Sequence, residues 1–245
     1  MSELTGSDKR SINWIGFGRD NESRRLSWLK EQLGRVSNGS RILDAGAGEL
    51  RNRSYCKHLD YISQDFCQYE GKGDGAALQT GNWDTSKIDL VSDITRIPAD
   101  DESFDIVLCT EVLEHVPDPV KAVQELSRLV KSGGQLILTA PFASLSHFAP
   151  YHFSSGLSRY WYKHHLAAFD FEEITTHANG GWFDFLAQEI WRLPWIGKSY
   201  SSRALGWLAL LLGLPLLFCM RLMRSFDRGS YELLTFGWFV VARKR

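Results

Sequence analysis

The chain has 245 residues, 44% of them hydrophobic, with 28 basic and 29 acidic side chains and a formal net charge of -1. That length and apolar content suit one α/β domain with an added subdomain. The near-neutral balance excludes a global basic field for gathering nucleic acid, and no nucleic-acid partner is expected. The four cysteines, Cys56, Cys67, Cys109 and Cys219, form no CxxC pair and no Cys/His group with zinc-like spacing. Buried free thiols, and no metal, are expected. Nine Trp and fourteen Phe are a heavy load for this length. Part of that aromatic surface is expected to face a ligand, a partner or lipid headgroups. The polar start "MSELTGSDKRS" has no apolar signal-like run, so a cytoplasmic location is expected.

Residues 1–20 read as an irregular arm carrying Trp14 and Phe17. "NESRRLSWLKEQLGR" predicts a helix: Asn21 is the candidate cap, and Leu26, Leu29 and Leu33 share a face. "SRILDAG" predicts a short buried strand, and a helix is expected from Leu50. "LDYISQDF" predicts a second strand ending at Asp65. Residues 68–86, rich in Gly, Asp and Thr, read as a long loop. "KIDLVSD" predicts a third strand ending at Asp93, and "SFDIVLCT" a fourth. "DPVKAVQELSRLVKSGG" is the clearest helix. Asp118 caps it, Pro119 takes its first position, and Gly133 and Gly134 end it. "GQLILTAPF" predicts a fifth strand. A helix near 155–168, a strand "FDFEEITTH" and a last strand in "LLTFGWFVVARKR" complete the core. Strands alternating with helices give a doubly wound parallel α/β sheet.

Open sheets of this kind bind ligands beyond the carboxyl ends of their strands. Three predicted strands end in Asp44, Asp65 and Asp93, and the fourth in Thr110 and Glu111. Singly, each acid could merely cap the next turn. As an ordered set they point to one ligand site. The loop "RILDAGAGELRNR" has Gly46 and Gly48, but Arg51 stands where a dinucleotide fingerprint has its third glycine. Asp44 and Glu49 also oppose a pyrophosphate, so a cationic ligand without phosphate fits better.

At this point the chain resembles the class I S-adenosylmethionine-dependent methyltransferases, in the methyltransferase type 11 group. The resemblance rests on "LDAGAG", on "SDITRIPADDESFDIVLCTEVLEHVPDPVKAVQELSRLVKSGGQLILTAPF" and on "HFAPYHFSSGLSRYW". It implies a Rossmann-like, doubly wound seven-stranded sheet with an antiparallel last strand, and S-adenosyl-L-methionine as cofactor. It places Asp44, Gly46 and Gly48 in the loop under the methionine part and Asp65 at the ribose hydroxyls. Asp93 and Ile94 then fall at the adenine, and Thr110 and Glu111 near the methionine tail. Leu50 departs from the pattern, where the family often has a third glycine.

A hydroxyl acceptor must lose a proton. His147 and His152 in "PFASLSHFAPYHF" follow the fifth strand and are the candidate bases or acceptor contacts; His115 reads as structural. "CTEVLEH" stands where amino-group methyltransferases of nucleobases often carry a Pro-Pro motif. A hydroxyl or carbon of a small-molecule, glycan or lipid-linked acceptor is therefore expected. A non-catalytic binding or assembly protein of the same fold is the alternative.

The chain thus divides into an arm and helix (1–39), a core (40–180), an inserted helical segment (181–230) and the last strand (231–245). The insertion holds "ALGWLALLLGLPLLFCM", seventeen residues without a charge, with Arg203 before it and Arg221, Arg224 and Arg228 after. A single membrane crossing would leave the last strand on the wrong side of its sheet. The segment is expected to lie at a membrane surface, peripheral to its inner face, through residues 203–224, or to serve as a lid or homodimer element.

Overall fold

A computed structural model describes residues 16–245; Trp14 and the rest of residues 1–15 lie outside the described residues. Seven strands form one sheet: β1 (Arg41–Ala45), β2 (Asp60–Asp65), β3 (Leu90–Val91), β4 (Phe104–Thr110), β5 (Val130–Pro141), β6 (Phe171–Ala178) and β7 (Gly237–Lys244). Their spatial order is β3-β2-β1-β4-β5-β7-β6. The first five pair in parallel, and β7 runs antiparallel to both β5 and β6. The chain leaves β1 toward β2 and later returns to pair β4 on the other side. A crevice therefore opens beyond the carboxyl ends of β1 and β4.

Strand alternation sends neighbouring side chains to opposite faces. Leu43 and Val107 point to the face covered by α2 (Pro119–Leu129) and α3 (Arg159–Ala168). Ile42, Ile106 and Leu108 point to the other face, where Leu29 and Leu33 of α1 (Asn21–Gly34) cover them. The seven-stranded Rossmann-like fold with an antiparallel last strand is as expected.

Several local expectations are corrected. Asp20, not Asn21, occupies the α1 cap position, and Asn21 Oδ1 instead accepts from Asn179 Nδ2 at 2.8 Å. The segment after Leu50 makes only a short 3₁₀ turn, Arg51–Tyr55. Strand β3 stops at Val91, two residues before Asp93, because Asp93 Oδ1 draws the chain into a turn by accepting from Thr95 N at 2.8 Å. Helix α2 is capped by Asp118 with Pro119 at its start, but it ends at Leu129 rather than at Gly133 and Gly134. Val130 already pairs with Phe104, and the two glycines form an irregularity inside β5. Gly134 must be small there, since a Cβ would stand 2.7 Å from Asp105 O. Helix α3 begins at Arg159, capped by Ser158, so residues 155–158 are not helical.

Residues between β6 and β7 form a helical hairpin: α4 (Trp182–Tyr200) and α5 (Arg203–Arg224), joined through Ser201 and Ser202. At its tip the backbones touch. A Cβ on Gly206 would lie 2.8 Å from Leu193 O and 3.0 Å from Gly197 Cα. At its base the buried carboxylate of Asp184 holds Arg224 of α5 at 2.7 Å and Arg24 of α1 at 3.0 Å. The hairpin thus leaves the sheet and returns to it. Helix α5 is long and apolar enough to cross a membrane, yet only 17% of its apolar window is buried in the fold. A single crossing is incompatible with β7 lying between β5 and β6.

Gly206→Ala is expected to force the two helices apart and cost the hairpin about 1–3 kcal/mol. Hydrogen exchange measures this: amides of α4 and α5 exchange faster while the sheet does not. Unchanged exchange in the hairpin would contradict the close contact.

Candidate functional site

The site begins where β1 ends. Gly46 N and Ala47 N both donate to Gln64 O, at 2.8 and 2.9 Å. This turns the chain sharply and puts Gly46 at φ +77°, where a Cβ would stand 2.3 Å from Val112 Cγ2. Glycine is required there on both counts. Leu50 also has a left-handed backbone, φ +60°, at the place where the resemblance calls for glycine. Gly48 N donates to Asp65 Oδ2 at 2.9 Å, and Cys67 N to Asp65 Oδ1 at 2.8 Å. Two main-chain donors therefore fix the carboxylate of Asp65. Its remaining lone pairs are free for a ligand.

Beyond the strand ends lies a cavity of about 520 Å³. Gly46, Asp65, Asp93, Ile94 and Glu111 line it together. Asp44, Gly48 and Thr110 do not. Asp44 is wholly buried behind the loop, accepting from Tyr61 Oη at 2.7 Å and Asn52 Nδ2 at 3.3 Å. Asn52 Nδ2 also reaches Thr110 Oγ1 at 3.2 Å, so Asp44 and Thr110 support the loop from behind. Burial pushes the Asp44 carboxyl up to about 6, against the lowering effect of its hydrogen bonds. Gly48 backs the aromatic wall instead: a Cβ there would meet Trp83 Cζ3 at 2.8 Å.

Part of the aromatic load lies here. The long loop after β2 packs on the loop after β5. Tyr69 stacks on Phe148 with ring centres 4.6 Å apart, and Phe66 meets Tyr151 edge-on at 5.1 Å. These rings roof the cavity, and Phe153 lines it too.

His147 and His152 do not line the cavity, but His115 does. The three imidazoles cluster, each offering a ring nitrogen within 4.8 Å of the others. Their positions, 32 and 37 residues downstream of His115, gave no sequence sign of this. Beside them Glu114 is 1% exposed. Burial, and then the nearby Glu111 carboxylate, raise its pKa well above the usual range. Burial, then His147 and His152, push His115 down to about 4 against its bond to Tyr151 O. Sequence reading also missed Arg25 of α1, which pairs with Glu111 at 2.8 Å, and Gln64, whose Nε2 donates to Ser92 O at 2.6 Å. Strand β2, DYISQD, is itself rich in polar residues, so nothing in the sequence set Gln64 apart.

Residues 43–138 match the family model described as a methyltransferase domain. Over that stretch the chain is similar to methyltransferase domains. It is 32% identical over 123 residues to the ubiquinone biosynthesis O-methyltransferase of Alkalilimnicola ehrlichii, covering 47% of each chain. It is 29% identical over 119 residues to that of Leptothrix cholodnii, covering 47% of this chain and 49% of that one. The chain thus matches about half the length of these curated relatives. A solved SAM-dependent methyltransferase from Archaeoglobus fulgidus superposes with a TM-score of 0.56 at 15% identity, covering 93% of this chain and 96% of that one, and shares the fold.

The cavity fits S-adenosylmethionine. Asp65, Asp93 and Glu111 line it, and no Lys or Arg does among the described residues. Such a lining favours a sulfonium and disfavours a pyrophosphate.

Asp44 makes the domain's stability pH-dependent. Its carboxyl stands at about 6 in the fold against 3.8 for a free side chain. The protonated form is favoured in the fold, so this group withdraws stability as pH rises from about 4 to about 6, on the order of 3 kcal/mol. Asp44→Asn removes that titration. Urea unfolding is expected to shift in favour of the variant, relative to wild type, between pH 4 and pH 7. A difference constant across that range would contradict the assignment.

Proposed function

We propose that the chain transfers the methyl group of S-adenosylmethionine to a hydroxyl or carbon of a small-molecule or lipid-linked acceptor at a membrane surface. One observation carries the transfer: an acid-lined cavity at the strand ends adjoins a histidine cluster formed by the loops after β4 and β5. The bound cofactor supplies a methyl carbon already activated by its sulfonium. Asp65 would accept from the ribose hydroxyls, Asp93 and Ile94 would hold the adenine, and Gly46 and Glu111 would face the methionine part. The rings of Tyr69, Phe148 and Tyr151 keep water out, which favours an in-line displacement. His147 and His152 would contact the acceptor and take its proton.

The α4–α5 hairpin supports the membrane reading. Leu205, Trp207, Leu211, Leu212 and Phe218 of α5 are exposed. Helix α5 carries no acidic residue, and Arg203, Arg221 and Arg224 mark its ends. That pattern suits a helix lying in an anionic interface with the exposed Arg203 at the headgroups, while Arg224 is held by Asp184 at the base of the hairpin. An acceptor with a lipid tail would then reach a site already held at the surface, on the inner face of the membrane.

Two measurements check these readings. In extract supplied with labelled methyl donor, the label is expected in lipid or small-molecule fractions; label in RNA or DNA would contradict the acceptor class. In flotation, the wild type is expected to rise with anionic liposomes. Leu211→Glu with Leu212→Glu, both on exposed positions, should leave the protein at the bottom. A wild type that stays at the bottom would sink the membrane reading.

A further inference from the structure

We propose that Glu114, His115, His147 and His152 form a binding site for one divalent transition-metal ion, with zinc the best fit. The binding does not rest on the methyl-transfer reading. The three imidazoles each offer one nitrogen, all within 4.8 Å of one another. His115 Nε2 lies 3.7 Å and His147 Nε2 4.0 Å from the same oxygen, Glu114 Oε1. Ligands about 2.0–2.1 Å from a tetrahedral zinc stand about 3.4 Å apart, so a contraction of well under 1 Å closes that part of the shell.

The carbonyls that would orient two of the imidazoles are already in place. His115 Nδ1 donates to Tyr151 O at 2.5 Å, and His147 Nδ1 to Leu145 O at 2.8 Å. A metal-bound histidine nearly always donates its other nitrogen to such an acceptor, which fixes the tautomer and aims the free nitrogen. Here both free nitrogens are Nε2, and both face Glu114.

Polar atoms without partners mark the gap. Glu114 Oε2, His115 Nε2 and His152 Nδ1 are buried and make no hydrogen bond. Glu114 is 1% exposed, and no Lys or Arg ion pair to it is present among the described residues. A buried carboxyl in that state costs free energy unless a cation meets it. Three neutral imidazoles and one carboxylate form a donor set for zinc or a similar first-row ion, and a poor one for magnesium, which demands an octahedron of oxygens. His115 belongs to both the cavity wall and the cluster, so the ion would adjoin the cavity. With four protein ligands a tetrahedral shell is closed, so the ion would tie the two histidine-bearing loops together beside the cavity.

Untagged protein, stripped with chelator, is titrated with ZnCl2 by calorimetry and with CoCl2 by visible absorption. The expected result is one ion per chain, an intense cobalt spectrum of tetrahedral type, and a rise in Tm with added zinc. Millimolar MgCl2 should not displace the ion. Removing one ligand in His147→Ala or His152→Ala, both on a surface loop, is expected to weaken zinc at least 10-fold, and the double variant should abolish the cobalt spectrum. Circular dichroism and metal-free Tm report whether these variants fold. Folded variants that bind zinc as tightly as wild type would overturn the proposal, since the ion would then sit elsewhere, on cysteines for example. So would a wild type that binds no zinc. Neither outcome bears on S-adenosylmethionine binding, which is measured separately.

Discussion

Two main-chain hydrogen bonds hold the site together. Gly46 N and Ala47 N share the carbonyl of Gln64, so the chain leaving β1 is bent across the end of β2. The side chain of Gln64 reaches on to Ser92 after β3, and Asp65 beside it accepts from Gly48 N. One dipeptide, Gln64-Asp65, thereby ties three successive strand ends into one rim. The bend demands a left-handed backbone at Gly46 and brings it against Val112. The cavity is what remains open above that rim.

The second constraint is topological. Strand β7 is the last element in the chain yet lies between β5 and β6, so everything before it must return to the sheet. The insertion obeys this by folding into a hairpin closed at its base by Asp184 with Arg24 and Arg224. The two arginines compensate a carboxylate that is almost fully buried, as a charge in that position requires. The hairpin's apolar side is left outward, an unusual exposure for a water-facing helix. The hairpin is therefore tied to the core through α1.

The alternation of strands and helices was legible because hydrophobic periodicity is a local signal, whereas the seven-stranded sheet with its antiparallel last strand followed from the family resemblance. Asp65, Gly46, Asp93, Ile94 and Glu111 lie together on the cavity. Boundaries were less legible. The two glycines after α2 read as a helix stop, but Val130 pairs with Phe104 and the strand absorbs them. Asp44 and Thr110 looked like ligand contacts and instead brace the loop through Asn52. The histidine cluster was invisible because its members come from two loops more than thirty residues apart. His115 looked structural for want of a partner in sequence, and the fold supplies two partners in space.

The central claim is that this acid-lined cavity holds S-adenosylmethionine. Isothermal calorimetry with that ligand tests it most directly, comparing wild type with Asp65→Ala and Asp93→Ala, with NADH titrated in parallel. Saturable binding of one S-adenosylmethionine per wild-type chain, at least 10-fold weaker in Asp65→Ala and weakened in Asp93→Ala, with no heat from NADH, is the predicted result. No binding by folded wild type, or affinity unchanged by both substitutions, would contradict it.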